Sequence, residues 1–145
     1  MSLDGSYDDA NIFAKIIRGE APAVKVFEDA DVLAFMDVFP QSPGHLLVIS
    51  KTSKARNLLD AEPQTLATLI AAAQKLARAQ RAALKPDGIV MTQFNGAPAG
   101  QTVFHLHIHL IPRWDGVALG RHGAGGMADI GELTKQAEQI KAALA

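Results

Sequence analysis

Apolar residues recur along this chain in two distinct rhythms, one helical and one alternating. Ile12, Phe13, Ile16 and Ile17 fall three and four apart and stop before Gly19, which predicts a short amphipathic helix over residues 11–18. Two β-rich runs follow, 24–27 and 32–36, separated by the polar stretch Glu28-Asp29-Ala30-Asp31 in the manner of a hairpin. After a loop containing Pro40, Pro43 and Gly44, the run His45-Leu46-Leu47-Val48-Ile49 reads as a third, buried strand. Leu66, Leu69, Ile70, Ala73, Leu76, Ala77 and Leu84 form a long helical stripe, with Asp60 as its expected cap, Pro63 in its first turn and Lys85-Pro86-Asp87-Gly88 as its end. Runs 89–94 and 103–111 predict two more strands. A final helix is expected over 129–144, with Asp129 and Glu132 at capping-box spacing and Leu133, Ala137, Ile140 and Leu144 facing inward. Consecutive strands around one long helix and two shorter terminal helices predict an α+β fold with a five-stranded, mostly antiparallel sheet.

The last strand carries the most unusual pattern. Val103-Phe-His105-Leu-His107-Ile-His109-Leu-Ile111 alternates imidazoles with large apolar residues. Extended chain sends successive side chains to opposite faces, so His105, His107 and His109 share one face while Phe104, Leu106, Ile108 and Leu110 cover the other. A helix would scatter the same histidines around its axis.

Composition narrows what those histidines can do. There is no cysteine, which excludes disulfides, thiolate nucleophiles and any cysteine-bearing zinc or iron-sulfur site. A net charge of −1 with balanced acids and bases offers no basic stripe for a nucleic-acid polymer or an anionic membrane surface. Residues 1–10 are polar and acidic, without the features of a secretory signal, and read as a flexible tail ahead of a single domain, 11–145. No apolar run approaches the roughly 20 residues that span a bilayer, so a soluble cytoplasmic protein is expected.

Neutral imidazole is a credible nucleophile towards phosphorus, and the phospho-imidazolium it forms is a good leaving group. Two further imidazoles nearby could orient the first and manage protons. Metal binding is the competing use, although residues i and i+4 of a strand lie about 13 Å apart, too far for one ion; two of the three could share an ion with His45 or His122. Histidines of this kind also occur as ordinary hydrogen-bonded core residues. The preceding loop, Asn95-Gly96-Ala97-Pro98-Ala99-Gly100-Gln101-Thr102, offers small residues, backbone N–H groups, an amide and a hydroxyl, a set suited to a phosphate.

His105-Leu-His107-Ile-His109-Leu-Ile resembles the His-φ-His-φ-His-φ-φ signature (φ apolar) of the histidine triad nucleotide-binding family. Ile12-Phe13-Ala-Lys15-Ile16-Ile17-Arg-Gly19-Glu20-Ala-Pro22, Leu33-Ala-Phe35-Met-Asp37-Val-Phe-Pro40-Gln-Ser-Pro43-Gly44-His45, Asn95-Gly96 and Gly100-Gln101-Thr102-Val103 match it in order and spacing. The similarity spans roughly residues 11–113 and is most like the bacterial nucleoside phosphoramidate hydrolases of that family. It implies a homodimer whose two sheets join into one of ten strands, with a purine nucleotide bound to each subunit. It implies that His107 is the nucleophile, that His109 contacts the phosphate and assists the leaving group, and that His105 and His45 orient and polarise the triad. Asn95, Gly100, Gln101 and Thr102 correspond to the phosphate-contacting loop, Asp37 to the acid that accepts the ribose hydroxyls, and Ile12, Phe13, Ile16, Phe35, Val38 and Leu47 to the base pocket.

Many bacterial relatives hold a structural zinc with Cys-x-x-Cys and a later His, where this chain has Asn11, Ala14 and, by spacing, Ser53. No structural zinc is therefore expected; the resemblance implies no catalytic metal, and the chemistry of a histidine nucleophile calls for no redox or organic cofactor. The expected reaction is hydrolysis of a purine nucleoside 5'-phosphoramidate through a nucleotidyl-histidine. A dinucleoside polyphosphate hydrolase and a nucleotide-binding protein with incidental turnover are the alternatives. The stretch after Arg113 matches poorly, leaving Trp114, the Gly-rich segment 116–126 and His122 without assigned roles.

Overall fold

The alternation along the central strands divides apolar residues between the two faces of one sheet. The computed structural model describes residues 3–119 and 126–144. Its strands are β1 (Lys25–Glu28), β2 (Val32–Met36), β3 (Leu46–Ser50), β4 (Gly88–Thr92) and β5 (His107–Arg113), all paired antiparallel in the order β1-β2-β3-β5-β4. Its α-helices are α1 (Ile12–Ile17), α2 (Pro63–Leu84) and α3 (Ile130–Ala143). The α+β class, the antiparallel sheet and the one long helix are as the sequence predicts.

Val32, Ala34 and Met36 of β2, Leu46 and Val48 of β3, and Ile108 and Leu110 of β5 face α2 and α3, where Leu69, Ala73, Leu76, Leu133, Ala137 and Ile140 meet them. Leu33, Phe35, Leu47 and Ile49 take the opposite face and pack with Phe13 and Ile16 of α1. Each fully buried aliphatic side chain contributes about 1.5–3 kcal/mol, so two occupied faces fix the register strongly. At six residues α1 is too short to persist alone; its buried Phe13 and Ile16 hold it, and Asn11 Oδ1 caps it by accepting from Ala14 N–H.

Asp60 does not cap α2. Its carboxylate accepts from the N–H groups of Arg56 and Asn57 at a short 3₁₀ turn, Leu58–Asp60, and α2 begins afterwards with Glu62 at its cap position and Pro63 next. Lys85 ends the helix in the left-handed region at φ 51°, returning its N–H to Arg81 C=O. Gln80 of α2 is 0% exposed. Its Nε2 donates to the carbonyls of Gly44 and Leu110, tying α2 to the chain beside His45 and His109.

Two expectations change. The strand expected over 103–111 starts only at His107. Ser50 C=O, where the β3 ladder would continue, is taken by the His105 ring, and Leu106 N–H turns to Ala55 C=O. Of the expected tail, the described residues 3–10 are tied down rather than loose: Leu3 C=O accepts from Arg56 Nη1, Tyr7 reaches His105, and Asp9 lies 3.3 Å from Lys54 Nζ. No helix among the described residues is long and apolar enough to cross a membrane.

Candidate active site

β3 and β5 set His107 opposite Ile49 and His109 opposite Leu47, on the face shared with α1. His45 stands at the entry to β3 and Asp37 at the exit of β2, and Asp37 N–H donates to His45 C=O. All four histidines and Asp37 are buried, His45 completely and His107 the least at 7% exposed.

Backbone partners settle where each ring carries its proton, because carbonyls only accept and amide N–H groups only donate. Gln41 N–H donates to His45 Nδ1 at 3.1 Å, so the His45 proton is on Nε2. That nitrogen lies 2.9 Å from His109 Nδ1 and 3.4 Å from Asp37 Oδ2. Neutral His109, accepting at Nδ1, then carries its proton on Nε2. In a second chain, His107 Nδ1–H donates to its neighbour His105 C=O at 2.7 Å, which leaves the His107 lone pair on Nε2. His105 donates Nε2–H to Ser50 C=O at 3.0 Å and accepts at Nδ1 from the Tyr7 hydroxyl at 2.6 Å. Burial is the main cause that lowers His105 from 6.5 to about 4; the Ser50 bond opposes it in part and the neighbouring His107 adds a smaller push in the same direction as burial. The ring centroids of His107 and His109 are 5.0 Å apart, bringing a nucleophilic lone pair and a proton donor to one place.

Both rings border a cavity of about 800 Å³. Ile12, Phe13, Ile16, Phe35, Val38 and Leu47, the expected base pocket, line it together with Asp37. So do Ala21, Pro22, Ala23 and Val24, and Met127 and Ile130 from the C-terminal part of the chain, a wall that periodicity did not reveal. Of the loop residues expected to contact phosphate, Thr102 lines the cavity. The side chains of Asn95 and Gln101 are used differently: they brace the loop. Asn95 Oδ1 accepts from Leu58 N–H and Gln93 Nε2, while Gln101 accepts from Gly96 N–H and donates to the carbonyls of Arg56 and Val103. Gly100 caps the loop's 3₁₀ turn at φ 110°, a left-handed conformation that favours glycine.

Ligand atoms of Asp37, His45 and His109 lie within 4.8 Å of one another, the spacing of a possible cation site. The proton placed on His45 Nε2 by the Gln41 N–H occupies that space, so the residues as arranged form a proton-sharing chain. At the positions where relatives carry zinc ligands, Asn11 caps α1 and the Ser53 hydroxyl donates to Glu62. Trp114 is half-buried, with its C=O accepting from Val117 N–H. His122 lies outside the described residues. Sequence reasoning missed Tyr7, Ser50 and Gln41, which act through isolated contacts with no local pattern, and the Asp37–His45 approach.

Residues 18–116 match the HIT domain family. Over 103 residues, covering 71% of this chain and 70% of the other, the chain is 44% identical to Protein hit of Bacillus subtilis. It is 36% identical over 135 residues to adenylylsulfatase HINT3 of Arabidopsis thaliana, covering 89% of this chain and 64% of that one. A crystal structure of a Hit-like protein involved in cell-cycle regulation from Bartonella henselae, holding an unknown ligand, superposes with a TM-score of 0.88 at 50% identity, over 95% of this chain and 99% of that one.

Proposed function

Because the chain belongs to the histidine triad (HIT) family, we propose that it hydrolyses the bond between the α-phosphate of a purine nucleoside monophosphate and a nitrogen leaving group. The observation that carries this reading is the His105 carbonyl, which holds the His107 proton on Nδ1 and leaves the lone pair on Nε2, in a ring that lines the cavity. His107 Nε2 bonds to the α-phosphorus as the phosphorus–nitrogen bond breaks, and the departing nitrogen takes the proton from His109 Nε2. Water then attacks phosphorus and gives a proton to His109, and the bond to His107 breaks to release the nucleotide. His45, donating to His109 Nδ1, stabilises the proton-bearing Nε2 tautomer of His109.

In this reading the purine lies among Phe13, Ile16, Phe35 and Leu47, and Asp37 accepts the ribose hydroxyls. Thr102, at the end of the glycine-bearing loop where the chain reaches the cavity, meets the phosphate charge. The Arabidopsis relative is named an adenylylsulfatase, which supports attack on an adenylyl group and makes the leaving group the open variable. A cavity of about 800 Å³ also leaves room for a second nucleotide, favouring the dinucleoside polyphosphate hydrolase as the alternative. Product analysis on adenosine 5'-phosphoramidate and on a diadenosine polyphosphate separates the two. Preferred release of AMP and ammonia from the first is the expected result, and turnover of the second alone would replace the proposal.

We also propose a homodimer joined along β4. This strand is the sheet edge beyond β5, and Met91 on it is 55% exposed beside the exposed Ile70 and Leu58. An edge with apolar side chains invites pairing with a second copy. Light scattering is expected to give twice the 15.4 kDa chain mass, and a monomer at micromolar concentration would refute the dimer.

A further inference from the structure

Tyr7 sits outside the stretch that matches the family, and nothing in the sequence around it announces chemistry. Its hydroxyl lies 2.6 Å from His105 Nδ1, and the two rings meet edge to face with centroids 5.7 Å apart. Since His105 Nε2–H is committed to Ser50 C=O, Nδ1 can only accept, and Tyr7 is its donor. His105 precedes β5, and the peptide that carries its carbonyl is held outside the strand ladder, by Leu106 N–H donating to Ala55 C=O at 3.0 Å. The ring, gripped at both nitrogens, is the second hold on this residue, whose carbonyl accepts His107 Nδ1–H at 2.7 Å.

The segment bearing Tyr7 is itself anchored. Leu3 C=O accepts from Arg56 Nη1, and Gly5 lies so close to that guanidinium that a Cβ there would meet it at 3.1 Å. The backbone carbonyl of Arg56 in turn accepts from Gln101 Nε2 in the loop beside the cavity. The N-terminal segment, the loop and the histidines are thereby joined through a few short contacts.

We propose that Tyr7 is a positioning residue: its hydroxyl, acting through His105, holds His107 in the tautomer whose lone pair is on Nε2. The inference rests on the reading of His107 as nucleophile. Loss of the hydroxyl leaves Nδ1 of His105 buried without this donor and the ring held only at Ser50, which loosens one of the two holds on the residue whose carbonyl orients His107.

Tyr7 is the one tyrosine in the sequence, so uniform 3-fluorotyrosine labelling alters this side chain alone while keeping its hydroxyl. The experiment compares the full chain as wild type, as Tyr7→Phe and as the 3-fluorotyrosine protein. It records imidazole ¹⁵N spectra and steady-state hydrolysis of adenosine 5'-phosphoramidate, with Tm as the check on folding. In Tyr7→Phe the nitrogen resonances of both His105 and His107 are expected to move, and kcat to fall about tenfold, the scale of one lost hydrogen bond, with KM little changed. The 3-fluorotyrosine protein is expected to keep kcat near wild type. A folded Tyr7→Phe protein with wild-type His107 resonances and wild-type kcat overturns the inference, as does an equal loss of kcat in the fluorinated protein. If wild type itself hydrolyses no phosphoramidate, the proposed function fails; movement of the His107 resonances in Tyr7→Phe then still upholds the positioning role, and their constancy overturns it.

Discussion

His107→Ala is expected to lower turnover of adenosine 5'-phosphoramidate by at least about a thousandfold, the scale on which an enzyme loses a covalent route. Alanine leaves no atom to bond to phosphorus, while His109, the loop and the apolar walls of the cavity remain. Binding of AMP should therefore persist within about tenfold of wild type, since the lost contact is one among many. Some packing is lost, because the His107 ring meets Phe13 edge to face with centroids 4.9 Å apart, so folding of the variant is checked alongside. Rapid quenching followed by intact-mass measurement should detect a nucleotidyl adduct on wild type and none on the variant. Substantial residual turnover would show that water attacks phosphorus directly, removing the covalent intermediate from the mechanism. Turnover lost with biological role intact would instead favour the binding-protein alternative.

Acid should weaken the fold through His105, by on the order of 3 kcal/mol. An unfolded histidine takes up its proton near 6.5, whereas burial holds the native one neutral until about 4. Between those values the unfolded chain binds the extra proton, so stability falls as pH falls through this window; below about 4 both states are protonated and the effect is spent. Urea unfolding at several pH values, for wild type and His105→Gln, isolates the contribution because the carboxylates titrate in both proteins. Wild type should lose more stability than the variant between pH 6.5 and 4, and parallel curves would mean that His105 takes up its proton as easily folded as unfolded. The same neutrality matters to the site, since a charged His105 would place a cation beside His107 and discourage the positive charge that His107 acquires on attack.

Much of this architecture was legible because it is written in periodicity. The continuous apolar runs in 32–36 and 45–49 read as strands without a partner in view, and the structure covers both of their faces. The boundary at His107 was not legible, because it depends on a side chain: the ring of His105 takes the Ser50 carbonyl that a backbone N–H would otherwise claim. The pocket residues that the family resemblance implied gather around one cavity, Ile12, Phe13 and Ile16 from α1, Phe35 from β2, Leu47 from β3 and Val38 from the loop after β2. Gln101 and Asn95 show the opposite case. Their residue types suit a phosphate equally well whether the amide faces the ligand or braces the loop, and only the surrounding carbonyls and N–H groups decide. The burial of Gln80 was not legible for the same reason, its two carbonyl partners lying 36 and 30 residues away.

The cavity is built by parts of the chain with different relations to the family. The four histidines, Asp37 and Thr102 fall within residues 18–116, whereas Ile12, Phe13 and Ile16 precede that stretch and Met127 and Ile130 follow it. The four histidines thus come from the matched stretch alone, whereas the apolar wall of the cavity is shared between that stretch and both flanks. Substitutions near either end can reshape what the cavity admits while the proton-bearing histidines stay as they are, so a shared triad specifies how a bond is broken more tightly than whose bond it is.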